Sequence, residues 1–264
     1  MRKKIIYTLT GIIVGMLLMS MIRIEFNPLS NQLVNAVLWY QHSDEMKAIY
    51  LQNFNLAKTI VLTETGKKHA SSNPAIVVDI DETMLDNSPF EGKLVHKGKS
   101  YNSQLWTEWV RRKQAKALPG AVEFTQFAKR NSVEVFYISN RRVQDLDATI
   151  ANLRKQGFAF ADSAHVLLRD RTGDKTERRQ QVSANHHVIL YIGDNMGDFD
   201  EVYNKASAKY DSTAIWRDSR LWGSRYIVMP NPMYGTWEYT LFPQGKKLTA
   251  LDKAMIKIKN IVGF

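Results

Sequence analysis

The chain has no cysteine at all, which removes disulfides, thiolate metal sites and a cysteine nucleophile from consideration without identifying a compartment. Its six histidines show no metal-ligand spacing: His186 and His187 are adjacent and the others are scattered. Any metal is therefore expected on oxygen ligands, which favours a hard cation such as Mg²⁺. Internal repeats and long low-complexity tracts are missing too. Acids are in deficit, with 26 Asp and Glu against 36 Lys and Arg, for a formal net charge of +10. Such an exterior attracts anions. The basic residues are spread out, with no recognisable nucleic-acid-binding motif, so small phosphorylated molecules are the expected partners rather than a nucleic-acid polymer.

What is present is an ordinary globular composition, 44% hydrophobic and 23% charged over 264 residues, enough for one main domain with elaborations. Arg2-Lys3-Lys4 precedes the uncharged run Ile5 to Ile22. As a helix this run would extend roughly 27 Å, close to the hydrocarbon thickness of a bilayer. The positive flank places the start in the cytoplasm and the rest outside. A cleaved signal peptide competes with an uncleaved anchor, but Leu18-Met19-Ser20-Met21-Ile22 is bulky where a cleavage site needs small residues. The expected division is residues 1–30 as anchor or signal with linker, and 31–264 as the main domain. Helical elaborations are expected over about 31–70 and 91–118.

Ala75-Ile-Val-Val reads as a buried parallel strand that stops abruptly in Asp79-Ile80-Asp81-Glu82-Thr83. If the extended geometry continues, Asp79 and Asp81 project to one side, and two carboxylates that close repel unless a cation or a shared proton relieves them. Turn capping is the plainer use of such acids. Downstream, strands are predicted over 133–138, 165–168 and 188–192, alternating with helices over 122–130, 144–156 and 175–184. That alternation specifies an α/β fold, a parallel sheet covered on both faces. Ligands in such sheets bind beyond the carboxyl ends of the strands. Three of those ends are polar: Asp79 with Asp81, Ser139 with Asn140, and Gly193-Asp194-Asn195-Met196-Gly197-Asp198.

Before the acidic strand, the pattern from Leu33 is helical, with a new start at Ser43. Trp106 and Trp109 lie three apart on a predicted helix, a spacing used for packing and also able to wall a pocket. The basic, amphipathic end from Lys246 to Phe264 is expected to dock on the main domain, with a membrane surface as the alternative.

These residues together resemble the class C acid phosphatases of the haloacid dehalogenase superfamily. The first motif is Asp79-Ile80-Asp81-Glu82-Thr83, continuing into Met84-Leu85-Asp86-Asn87-Ser88-Pro89; the second is Tyr137-Ile138-Ser139-Asn140-Arg141. The third motif's lysine falls on Lys175, and the fourth motif is Gly193-Asp194-Asn195-Met196-Gly197-Asp198-Phe199. A tail from Trp222 to Glu238 is also similar to that branch. Many members are lipoproteins anchored through a cysteine, which this chain lacks.

The resemblance implies a Rossmann-like parallel sheet with a mainly helical cap, an N-terminal transmembrane helix being the expectation from Ile5 to Ile22. It implies Mg²⁺-dependent hydrolysis of phosphomonoesters through a phosphoaspartyl intermediate, with one Mg²⁺ per active site. Asp79 would be the nucleophile. Asp81 would protonate the leaving oxygen and then accept a proton from water, and Lys175 would neutralise charge. Metal ligands would be Asp79, the backbone carbonyl of Asp81 and Asp194, with Asp198 acting through water. Ser139 and Asn140 would bind phosphate oxygens. Phe90, Trp106, Tyr234 and Trp237 would grip the base of a 5′-nucleotide. The expected location is extracytoplasmic, membrane-anchored or secreted. A phosphotransferase using the same aspartates, or a non-enzymatic membrane-anchored binding protein, are the rival readings.

Overall fold

The computed structural model describes residues 28–67, 72–205, 212–243 and 245–264. The apolar run before the first acids forms strand β1, Pro74–Val78. Leu85–Asp86 (β2) and Lys116–Ala117 (β3) make a separate antiparallel pair. The chain then builds β4 (Glu134–Arg142), β5 (Val166–Arg169), β6 (His187–Gly193) and β7 (Tyr226–Val228). The main sheet has the order β5-β4-β1-β6-β7 and every pairing in it is parallel. β1 is therefore central, flanked by the two strands whose ends carry the other polar motifs.

Successive residues of β1 point to opposite faces, as pleating requires. Ile76 and Val78 join one apolar cluster with Tyr50, Phe54, Val61, Tyr137 and Leu190. Ala75 and Val77 join the other with Ile138, Val182, Phe199 and Tyr226. Both faces are covered, so β1 needs apolar residues at every position, and each large side chain it buries stabilises the fold by roughly 1.5–3 kcal/mol.

Helices Val34–His42 and Asp44–Thr65 lie within the stretch 31–70, and the break between them is Ser43, whose hydroxyl accepts from Met46 N at 3.1 Å. The second helix carries Tyr50, whose hydroxyl donates to the carbonyl of Glu82, and Tyr40 reaches both Tyr50 at 2.6 Å and that carbonyl at 3.4 Å. The loop after β1 is thereby pinned from beneath. Over 91–118 lie the rest of helix Ser88–His96, helix Ser103–Arg112 and β3.

Several boundaries differ from expectation for physical reasons. Strand β4 runs on through Ser139-Asn140-Arg141 to Arg142, with a register shift against β5 between Ser139 and Arg142, and its pleat buries Ser139 and Arg141 while leaving Asn140 and Arg142 exposed. β7 was not predicted: its three residues are too short to show a period. Extended geometry ends at Val78, so Asp79 and Asp81 do not share one face of a strand; Glu82 adopts φ +58° and the amides of Met84 and Leu85 both fold back onto the carbonyl of Ile80.

The run Ile5 to Ile22 lies outside the described residues. Among the described residues no helix is long and apolar enough to cross a membrane. The basic helix Ala250–Lys259 docks on Pro28–Gln32, with Gln32 Nε2 donating to Ala254 O at 3.2 Å.

Candidate active site

Strands β1, β4 and β6 end on one edge of the sheet, and the acids that follow β1 and β6 meet there. Asp79 follows β1 directly and its amide extends the ladder by donating to Ile192 O at 2.9 Å. Asp194 follows β6. Asp198 closes the short 3₁₀ turn Met196–Asp198, its Oδ2 accepting from Asn195 N at 2.9 Å. Carboxylate oxygens of Asp79, Asp194 and Asp198 all lie within 4.8 Å of one another. Lys175, at the start of helix Thr176–Ser183, puts its ammonium between two of them: it donates to Asp79 Oδ1 and, at 2.6 Å, to Asp198 Oδ1.

One ammonium faces three carboxylates, those of Asp79 and Asp198 buried and that of Asp194 half-buried. Burial pushes Asp79 up to about 7 despite Lys175, with Asp198 and Asp81 adding like charge. Asp194 is raised well above the ordinary range by burial, then by Asp79 and Asp198. Burial alone would lower Lys175, but Asp198 and Asp79 outweigh it and hold the ammonium charged. The cluster thus has an excess of negative charge that protons or a further cation must relieve. Asp194 receives neutral donors, Thr83 Oγ1 at 3.3 Å and Asn231 Nδ2 at 2.8 Å, which orient its carboxylate without neutralising it. An all-oxygen donor set with surplus charge fits a hard divalent cation.

Asp81 looks elsewhere. Arg141, buried, donates to its Oδ1 from Nη2 at 2.8 Å and from Nε at 2.9 Å. Ser139 Oγ donates to Oδ2 at 3.1 Å and Asn87 Nδ2 to Oδ1 at 2.9 Å. Asn87 is in turn held by Trp109, whose Nε1 donates to Asn87 Oδ1 at 2.8 Å. Trp109 is therefore an anchor for this network, while Trp106 stands in the wall above it.

A cavity of about 460 Å³ opens over the cluster. Asp79, Asp81, Asp194, Asp198, Lys175 and Asn140 line its floor. Trp106 and Tyr234 line its wall together with Tyr101 and Tyr239, which no sequence pattern had marked. Phe90 is 1% exposed and sits behind, edge-on to Trp106 at 5.0 Å and to Tyr101 at 6.1 Å. Trp237 is 47% exposed and is not part of the wall. Ser139 is fully buried, its hydroxyl directed at Asp81, so among the second-motif residues Asn140 and Arg141 are the ones that reach the cavity. Lys253 and Lys257 of the C-terminal helix also border it.

Three supporting residues had escaped notice as functional. Among the described residues Arg141 is the largest fully buried side chain, which sequence alone does not show for an arginine. Asn231, between Pro230 and Pro232, is fixed in a turn where its Oδ1 accepts from Met233 N and Tyr234 N; the flanking prolines were the available signal. Gly193 allows the third acid to approach: a Cβ there would fall on the Asp198 carboxylate, well inside contact distance. Asp198 cannot retreat, being tied to Lys175 and Asn195. Gly193→Ala is therefore expected to destabilise the fold by about 1–3 kcal/mol, read as a shift in the urea midpoint.

The family described as HAD superfamily, subfamily IIIB (acid phosphatase), matches residues 21–237. The chain is similar to the class C acid phosphatase of Bacillus anthracis, at 38% identity and a TM-score of 0.85 over 90% of this chain and 99% of that one. A structure of the class C acid phosphatase from that organism with tungstate bound is similar at 36% identity and a TM-score of 0.80, with the same coverage. Among curated proteins, a stem 31 kDa glycoprotein of Glycine max is 24% identical over 64% of this chain. Acid phosphatase 1 of Solanum lycopersicum is 24% identical over 67% of it. The chain spans 62% and 63% of the length of these two relatives.

Proposed function

The chain belongs to the acid phosphatases of HAD superfamily subfamily IIIB, and from that premise we propose that it hydrolyses phosphomonoesters by phosphoryl transfer to Asp79 and then to water. The observation that carries this reading is the juxtaposition of Asp79, Asp194 and Asp198 with Lys175 on the floor of a cavity.

Asp79 is the nucleophile: one carboxylate oxygen bonds to phosphorus as the bond from phosphorus to the leaving oxygen breaks. Burial pushes the Asp79 carboxyl up to about 7, and a divalent cation beside Lys175 would favour the ionised form that attack requires. Asp81 gives a proton to the leaving oxygen and takes one from the water that opens the acyl phosphate. Arg141, Ser139 and Asn87 hold that carboxyl in place. Lys175 balances charge on the phosphoryl oxygens as it builds. Mg²⁺, held by Asp79, Asp194 and the backbone carbonyl of Asp81, with Asp198 acting through water, would supply Lewis-acid neutralisation of those oxygens.

Nucleoside monophosphates are the proposed substrates, because Trp106, Tyr101 and Tyr234 put aromatic faces around a cavity of suitable size and stacking suits any base. The Bacillus anthracis relative binds tungstate, a tetrahedral oxyanion of phosphate's shape, which supports the reading that this chain binds a phosphoryl group. An extracytoplasmic location, with the run Ile5 to Ile22 in a membrane, completes the reading.

Purified protein given p-nitrophenyl phosphate is expected to release p-nitrophenol and inorganic phosphate in equal amounts. Chelation should abolish the activity and Mg²⁺ restore it; phosphate recovered on added alcohols in place of water would mark a transferase instead. Undiminished turnover after exhaustive chelation would remove the metal from the scheme.

The cavity also predicts a pH effect on binding. Glu91, buried in its wall, is pushed up to about 7 by that burial and then by Glu238. Below that pH Glu91 is neutral; above it the carboxylate repels an incoming phosphate. KM should therefore rise above pH 7 in the native protein and rise less in Glu91→Gln. The same shift makes Glu91's contribution to stability greatest below the ordinary carboxylate range and lost as pH rises through 7. Parallel KM profiles for the two proteins would dismiss the assignment.

A further inference from the structure

Helix Ala250–Lys259 is docked by the wrong face for an ordinary amphipathic helix. Toward the protein it turns Ala254, which is buried, Lys257, which pairs with Glu238 at 2.5 Å, and Lys253, whose ammonium lies 5.5 Å over the Phe242 ring. Away from the protein it turns Leu251, Met255 and Ile258, which are 60%, 58% and 55% exposed. Those three recur at the i, i+4, i+7 spacing of a single helical stripe. Ile261, Val262 and Phe264 beyond the helix are exposed as well. Intramolecular docking accounts for the lysines and the alanine; among the described residues nothing covers the apolar stripe.

We propose that this stripe is a membrane-contact surface, lying in the interface of a lipid bilayer. Two observations select the bilayer. The first is connectivity. The docking partner of this helix is Pro28–Gln32, the first described element, and the uncharged run Ile5 to Ile22 ends six positions before Pro28. Six residues span at most about 20 Å. A bilayer holding that run is therefore within reach of the stripe, and in this respect the inference rests on the membrane reading given above. The second is charge. Lys246 and Lys247, just before the helix, and Lys259, in its last turn, are exposed, so both ends of the stripe carry basic residues able to meet anionic headgroups while the apolar face meets acyl chains. Because Lys253 and Lys257 border the cavity from the same helix, seating the stripe would hold the cavity within roughly one helix diameter, about 10–12 Å, of the bilayer.

The absence of cysteine makes the test direct. The full chain carrying Met255→Cys is labelled with nitrobenzoxadiazole and reconstituted with vesicles of phosphatidylcholine and phosphatidylglycerol. Acyl chains brominated near the headgroup should quench the label by about half, and aqueous iodide should quench it less than it does without vesicles. Adding Leu251→Glu and Ile258→Glu should reverse both effects while p-nitrophenyl phosphate hydrolysis stays at the native rate. Protein that floats with the vesicles but shows an unquenched, iodide-accessible label keeps the N-terminal anchor and overturns this inference. Protein that does not float overturns both. A blue-shifted label untouched by brominated lipid means that protein, either residues of this chain or a second copy, covers the stripe, and also overturns it.

Discussion

Asp79→Asn is expected to lower kcat by a factor on the order of 10⁶, the scale seen when the attacking group of a concerted site is removed. The fold should survive. Asn has nearly the same volume, and the amide at 79 keeps its bond to Ile192 O at 2.9 Å. Electrostatics favour tolerance as well. Burial pushes the Asp79 carboxyl up to about 7, so a neutral amide there removes a charge that the buried position already disfavours. Lys175 retains Asp198 as an ionic partner at 2.6 Å. Circular dichroism melts should thus change little while turnover disappears, and native protein quenched in acid should carry a phosphoryl mass that the variant lacks. Turnover in pure Asp79→Asn within about a hundredfold of native would transfer the nucleophilic role to another group.

Lys175→Met is expected to reduce kcat by about 10²–10³-fold, the usual loss for one positioned charge donor acting on a transition state. Unlike the first substitution, it should also weaken the fold. Lys175 is the ammonium set between Asp79 and Asp198, and its removal leaves those acids with Asp194 in a buried cluster without their ionic partner. Breaking a buried pair from one side commonly costs about 3–5 kcal/mol. Saturating Mg²⁺ should recover part of that loss, because a ligand that binds only the folded state stabilises it. The informative combination is therefore kcat together with the melting temperature at zero and saturating Mg²⁺. A variant that loses activity yet melts as the native protein does in both conditions would indicate that Lys175 does not neutralise the carboxylates.

How much of this was legible depended on the residue. β1 was readable because a strand buried on both faces must be apolar at every position, and Ser43 because a hydroxyl before an acidic turn is a local cap. Lys175 was readable only through its motif; nothing local distinguishes it from a surface lysine at a helix start. The aromatic wall was half legible. Trp106 and Tyr234 face the cavity, Phe90 backs it and Trp237 faces solvent, and aromatic identity is compatible with all of these placements. β7 and the grip of Arg141 on Asp81 escaped notice because both are long-range. A three-residue strand exists only by pairing with β6, and an arginine is buried only when a carboxylate from another strand meets it.

Sequence alone determined the alternation of strands and helices, hence a covered parallel sheet, and with it the edge to which the acids at the ends of β1 and β6 had to come. Those features are local or periodic, so neighbouring residues specify them. Tertiary structure decided the charge balance of the cluster, the turning of Asp81 away from Asp79 toward Arg141, and the docking of the C-terminal helix by its lysines with its apolar stripe outward. Each of these depends on which distant groups share a small volume, since burial and the sum of nearby charges, not residue type, set the energy of an ionised side chain.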